Sequence, residues 1–125
     1  MKRIILELGT GNDLYGEDYT KAACRAVQDA IHHSSLIIMG TLNLDFKKMN
    51  VKVHIGVQSP ESLDVDIIKK ELPHGNIEVV PTLGGLNLVD EQKSIENTGY
   101  GNVSVIATAA IEVFYDLNPE NYNLC

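Results

Sequence analysis

The residues with the most chemical potential lie near the start of the chain. Residues 9–16 read GTGNDLYG, and Glu17 and Asp18 follow at once. Three glycines in eight positions permit positive φ angles and close backbone approach, so the spacing predicts a shaped loop between a strand and a helix. Backbone N–H groups in such a turn, backed by a helix N-terminus, can cradle an anion. The carboxylates point elsewhere: Asp13, Glu17 and Asp18 repel phosphate, and the run matches neither G-x-G-x-x-G nor G-x-x-x-x-G-K-[ST] in register. A loop of this type suits a cation, an amine or an amide. In that reading Asp13 is the catalytic candidate, as carboxylate base or cation ligand. Gly9, Thr10, Gly11, Asn12, Tyr15 and Gly16 are the ligand-binding candidates, with Gly84 and Gly85 completing the wall across a subunit contact. The alternative makes Asp13 a turn former whose side chain caps its own backbone.

Other titratable residues carry weaker signals. His32 and His33 are adjacent, and neighbours on a helix point about 100° apart, so they suit a helix end better than a shared metal. His54 falls on the polar side of an alternating run, and His74 lies in a Pro-His-Gly turn. Glu112 interrupts an apolar segment, where a carboxylate is costly unless it is paired or placed at an interface. Glu96, Asn97 and Thr98 sit in a long acidic loop. No H-E-x-x-H, C-x-x-C or G-x-S-x-G occurs, so no metal ligand set, redox pair or hydrolase elbow is assigned, and the sequence names no cofactor.

The elements that must position these residues alternate strand, loop and helix. RIILEL (3–8) is an apolar run ending at glycine and predicts a buried strand. Between Asp18 and His33, residues Ala22, Ala23, Ala26, Val27, Ala30 and Ile31 share one face of a helical period. The small side chains of that face let the helix approach a sheet closely, with Asp18 or Thr20 as cap. LIIMG (36–40) reads as a short apolar strand or buried turn, and DFKKMN (45–50) as a surface loop. VKVHIGV (51–57) alternates apolar and polar residues as a half-buried strand does. Ser59-Pro60-Glu61 opens a second helix running to about Leu72, with Leu63, Ile67, Ile68 and Leu72 as its buried stripe. IEVVPTL (77–83) is a third strand, Pro81 marking an edge or bulge. Residues 86–101 form a long loop with a short strand at LNLV. VSVIATAAIEVFY (103–115) fits both periods, and its β-branched start favours a strand for at least the first half.

The expected fold is an α/β domain of the two-layer α+β kind over residues 1–117, with a polar tail at 118–125. About four strands would form the sheet, with two helices on one face. The other face is then partly bare, and 103–115 carries apolar residues on both sides. Both points predict a homo-oligomer. The formal charge of −7 argues against nucleic acid as a partner. It is unevenly spread: residues 1–60 hold seven Lys and Arg against six Asp and Glu, residues 61–125 three against eleven. No apolar stretch approaches the roughly 20 residues of a membrane span, and Cys24 and Cys125 make no disulfide framework, so a cytoplasmic setting is expected.

GTGNDLYG resembles the GxGxDxHG signature of a family of conserved hypothetical proteins found in bacteria and plants. The resemblance extends through DYTKAACRAVQDAIHHSSL, VKVHIGV, the GGL at 84–86 and the closing AAIEV. It places the motif on Gly9, Gly11, Asp13 and Gly16, with Tyr15 where the family has His, and it implies no assigned function. A tyrosine there can donate a hydrogen bond but is a poor base near neutral pH. A shorter likeness, about 20 residues around the Gly-Asn turn and the start of the helix, is to the ring-opening amidohydrolases, the cyanuric acid hydrolase and barbiturase family. It implies a chorismate-mutase-like domain with sites at subunit interfaces. The activating Lys and nucleophilic Ser of those enzymes have no counterpart: Leu8 or Gly9 precedes the turn, and Leu83 precedes Gly84-Gly85.

Overall fold

The computed structural model describes residues 1–14, 16–32, 45–72, 74–89 and 103–116. Among the described residues, five strands and two helices follow one another as β1 (Lys2–Leu14), α1 (Tyr19–His32), β2 (Asn50–Val57), α2 (Val65–Lys69), β3 (Asn76–Leu83), β4 (Leu86–Val89) and β5 (Val103–Tyr115). Short 3-10 turns occupy Phe46–Lys48 and Pro60–Ser62. The sheet runs β1-β5-β2-β3, and β4 pairs with β5 as well. β5 is antiparallel to β1, β2 and β4, whereas β2 and β3 are parallel. A parallel pair needs a long crossover, and α2 lies in the one between β2 and β3.

Strand alternation divides the sheet into two faces. On one, Val51, Val53, Ile55 and Val57 of β2 lie beside Val105, Ala107, Ala109, Ile111 and Val113 of β5, all buried. Ala22, Ala23, Ala26, Val27 and Ala30 of α1 cover them, and Ile68 of α2 closes one side. Tyr115 is wholly buried, and its hydroxyl accepts the Asp45 N–H at 3.0 Å. The layered α+β class, the presence of two helices and the strands at 51–57, 77–83 and LNLV match the expectation. So does 103–115, which is strand throughout.

Two elements differ from it. β1 does not stop at Leu8 but runs on through Gly9, Thr10, Gly11, Asn12 and Asp13 to Leu14, paired with β5 as far as Ser104. The glycines there serve helix packing. A Cβ on Gly9 would strike the backbone of Ala26 and Ala30, and one on Gly11 that of Ala22, Arg25 and Ala26. Removing the side chains lets α1 lie on the strand through its alanine stripe. The second helix is also broken. Leu63 is extended after the 3-10 turn, and Asp64 caps a new start, accepting from the Asp66 and Ile67 N–H groups at 3.1 and 3.3 Å. The Asp64 N–H in turn donates to Thr20 Oγ1 at 2.9 Å, tying α2 to α1. Of the stripe expected there, Ile68 is buried and Leu63 and Leu72 partly so, but Ile67 is exposed. LIIMG, His33, the acidic loop with Glu96, Asn97 and Thr98, and the tail at 118–125 lie outside the described residues.

Candidate binding site

Continuation of β1 decides where the residues of the Gly-rich segment go. Alternation sends Gly9, Gly11 and Asp13 to the helix side and Thr10 and Asn12 to the opposite side, so the segment does not converge on one pocket. Asp13 is 5% exposed. Its Oδ2 accepts the Asp18 N–H at 3.0 Å, and its Oδ1 lies 3.5 Å from Arg25 Nη1 and 4.0 Å from Lys21 Nζ. Arg25 also donates to the Asn12 carbonyl at 2.7 Å. Asp18 caps α1, accepting the Lys21 N–H at 3.0 Å. Gly16 is small because the Asp13 carboxylate occupies the space a Cβ would take. Asp13 therefore joins the end of β1 to the start of α1, close to the turn-forming alternative. Tyr15 lies outside the described residues. Gly84 and Gly85 carry the chain past the end of β2 into β4: Gly84 N–H donates to the Val57 carbonyl at 3.0 Å, and Gly85, at φ 62°, abuts the Ile106 carbonyl.

The opposite face of the sheet carries no helix among the described residues. Register aligns it in rows. Thr10, Thr108, Gly56 and Thr82 form one row across β1, β5, β2 and β3. Leu8, Ala110, His54 and Val80 form the next, and Leu6, Glu112, Lys52 and Glu78 the one beyond. Gly56 has no side chain and Ala110 a short one, so the surface sinks between their taller neighbours. The result is a groove of about 550 Å³ lined by Leu8, Thr10, His54, Gly56, Thr82, Thr108 and Ala110, with Asp29 at its border. Asp29 also accepts the Thr10 N–H at 2.9 Å.

At the rim His54 Nε2 lies 2.6 Å from Glu112 Oε1, and Arg3 Nη1 lies 3.3 Å from Glu112 Oε2. The hydrogen bond from His54 holds the Glu112 carboxyl below the usual carboxylate range, with Arg3 adding to the effect. Glu112 is thus the paired carboxylate that an apolar strand requires. Gly9, Thr10, Gly84 and Gly85 of the sequence candidates come near this groove, Gly9 and Thr10 as lining and the glycine pair beside Gly56. Thr82, Thr108 and Gly56 were not among the candidates. His54 and Glu112 were singled out separately, and only the β2–β5 register brings them together. The legible signal was that both occupy the polar phase of an alternating strand.

The comparisons with known proteins bear on the whole chain. A family model described as conserved hypothetical protein, Lin0512_fam, matches residues 3–113. The chain belongs to that family. The matched residues reach into every element described above. No curated protein matches the chain. Among solved structures, a crystal structure of an FtsZ-like protein of unknown function from Nostoc punctiforme is similar, at 30% identity and a TM-score of 0.80. The match covers 92% of this chain and 96% of that one. No helix among the described residues is long and apolar enough to cross a membrane.

Proposed function

We propose that this protein is a small-molecule-binding domain whose site is the groove on the helix-free face of the sheet. The observation that carries the reading is the groove itself, floored by Gly56 and Ala110 and rimmed by an oriented His54. Concave, mostly apolar sites with a few placed polar groups are what small ligands occupy. Here the polar groups are three threonine hydroxyls, one imidazole and the Asp29 carboxylate. The ligand would have an apolar body and one or two polar edges. Free Cys24 fits a reducing, cytoplasmic setting.

A thermal-shift panel of cyclic amides and ureides, carboxylates, phosphates and divalent metals tests the reading. A ligand at 100 times its dissociation constant stabilises by about 2.7 kcal/mol, a rise of several degrees for a domain of this size. The rise should vanish in Ala110→Leu, which fills the floor. It should persist in Asp13→Asn, because Asp13 faces α1. The reverse pattern would return the site to residues 9–17.

A second reading has its own observation. Leu6, Leu8 (62% exposed) and Leu14 of β1 and Leu86 and Leu88 of β4 are all exposed on the groove side of the sheet. A patch of this kind marks an association surface. A second copy of this chain is the occupant we favour, since the same leucine patch on each copy can meet itself about a twofold axis. The protein would then be an oligomeric module, its groove at or beside the interface. Light scattering behind size exclusion should report an oligomer at micromolar concentration, converted to monomer by Leu8→Glu.

A further inference from the structure

We propose that His54 is the proton acceptor of the groove and that its ligand is a weak acid, an apolar ring bearing an ionisable O–H or N–H. The proposal rests on the groove being the binding site and adds the chemistry of its occupant. An ionised carboxylate has no proton to give, so in the 2.6 Å contact with Glu112 the hydrogen resides on His54 Nε2. With Nε2 as the donor to Glu112, the ring atom left to accept a proton is Nδ1, and the ring borders the groove. Glu112 is itself fixed, with His54 on one oxygen and Arg3 on the other. It acts as a positioning residue that sets the tautomer and steadies the cation once a proton arrives.

Transfer is balanced without any other reactant. The ligand O–H or N–H bond breaks, the proton moves to Nδ1, and the electron pair stays on the ligand atom. Nothing is oxidised or reduced. The products are a ligand anion and an imidazolium flanked by Glu112. The charged groups facing the pair are Arg3 from β1, Lys52 from β2, Glu78 from β3 and, at the far border of the groove, Asp29 from α1. Two cations and three carboxylates, counting Glu112, thus surround the ring. Leu8, Gly56 and Ala110 supply the apolar contact for a ring, and the hydroxyls of Thr10, Thr82 and Thr108 can donate to the anion that forms.

The probe is 4-nitrophenol, a weak acid whose phenolate alone is strongly coloured. It is titrated with the full chain at a pH where the free probe is mostly neutral, with calorimetry reporting binding and absorbance reporting ionisation. The expected result is binding accompanied by growth of the phenolate band. The band should be lost in His54→Gln and reduced in Glu112→Gln, both of which are half-buried on the helix-free face, outside the hydrophobic core. Nitrogen-15 NMR of the unliganded protein should show the Nε2–H tautomer of His54, and Glu112→Gln should shift it towards a mixture. Binding without a phenolate band, or a band unchanged in His54→Gln, overturns the proton-acceptor role and leaves the groove as a site. No heat and no band overturns the weak-acid assignment, and the thermal-shift panel then judges the groove on its own.

Discussion

Gly11 of β1 rests against the main chain of Ala26 in α1 with no room between them for a methyl group. Gly9 repeats the contact one helical turn further on, against Ala26 and Ala30. Glycine in a strand interior ordinarily loses about 0.5–1 kcal/mol relative to alanine. At these two positions the sign should reverse. Gly11→Ala and Gly9→Ala should each destabilise by about 1–3 kcal/mol, as overpacking does. Urea unfolding of the two variants decides the matter, and a variant more stable than its parent would show that α1 does not lie on these glycines.

Asp13 makes its hydrogen bond to Asp18 N–H and its ion pairs to Arg25 and Lys21 in a nearly buried position. Asp13→Ala leaves the Asp18 N–H without its acceptor and should cost about 1 kcal/mol or somewhat more. Asp13→Asn keeps an acceptor and should cost less. Thermal unfolding at pH 7 ranks the three proteins, and an Asn variant as damaged as the Ala variant would locate the stabilisation in charge alone.

Glu112 is held in its ionised form first by the His54 hydrogen bond and then by Arg3. Its folded pKa is lowered, so the stability it contributes is fully present above the unfolded value of about 4.3 and is lost as pH falls through the lower folded value. Melting temperatures of the parent and Glu112→Gln should differ most above about pH 5 and converge under acid. A gap that widens under acid would contradict the pairing.

Cys24 has its thiol pKa pushed up to about 11, chiefly by burial and then by the negative charge of Glu71. Glu71 is held nearby by Gln28. The thiolate is the reactive form, so Cys24 in the folded protein should be alkylated by iodoacetamide at pH 8 at least tenfold more slowly than in urea. A Cys125→Ser background removes the second thiol, and Glu71→Gln should speed the folded-state reaction. Equal rates with and without urea would place Cys24 in the open.

The parts of the fold visible from sequence are those whose pattern is local. Val51, Val53, Ile55 and Val57 alternate because one face of β2 meets the helices, and the alanines of α1 recur with the helical period because one face meets the sheet. Residues 9–14 misled because glycine signals a turn when read alone. A different signal was present: Gly9, Gly11 and Asp13 continue the two-residue period of β1, and the small residues answer Ala22, Ala26 and Ala30 at helical spacing. The groove was hidden for another reason. His54 and Glu112 are 58 residues apart in sequence, and Thr10, Thr108, Gly56 and Thr82 come from four strands. Their adjacency depends on strand order and register, which no local pattern encodes.

β5 is the strand that pairs with β1, β2 and β4. Without β5, the described residues hold β1 with α1 in one piece and β2 with β3 in another, and none of the other described strands joins them. The two pieces expose backbone edges until β5 threads between them. Folding of this domain should therefore wait on β5, with a high demand for long-range pairing. In the interval its leucine-rich strands would be natural clients for a chaperone.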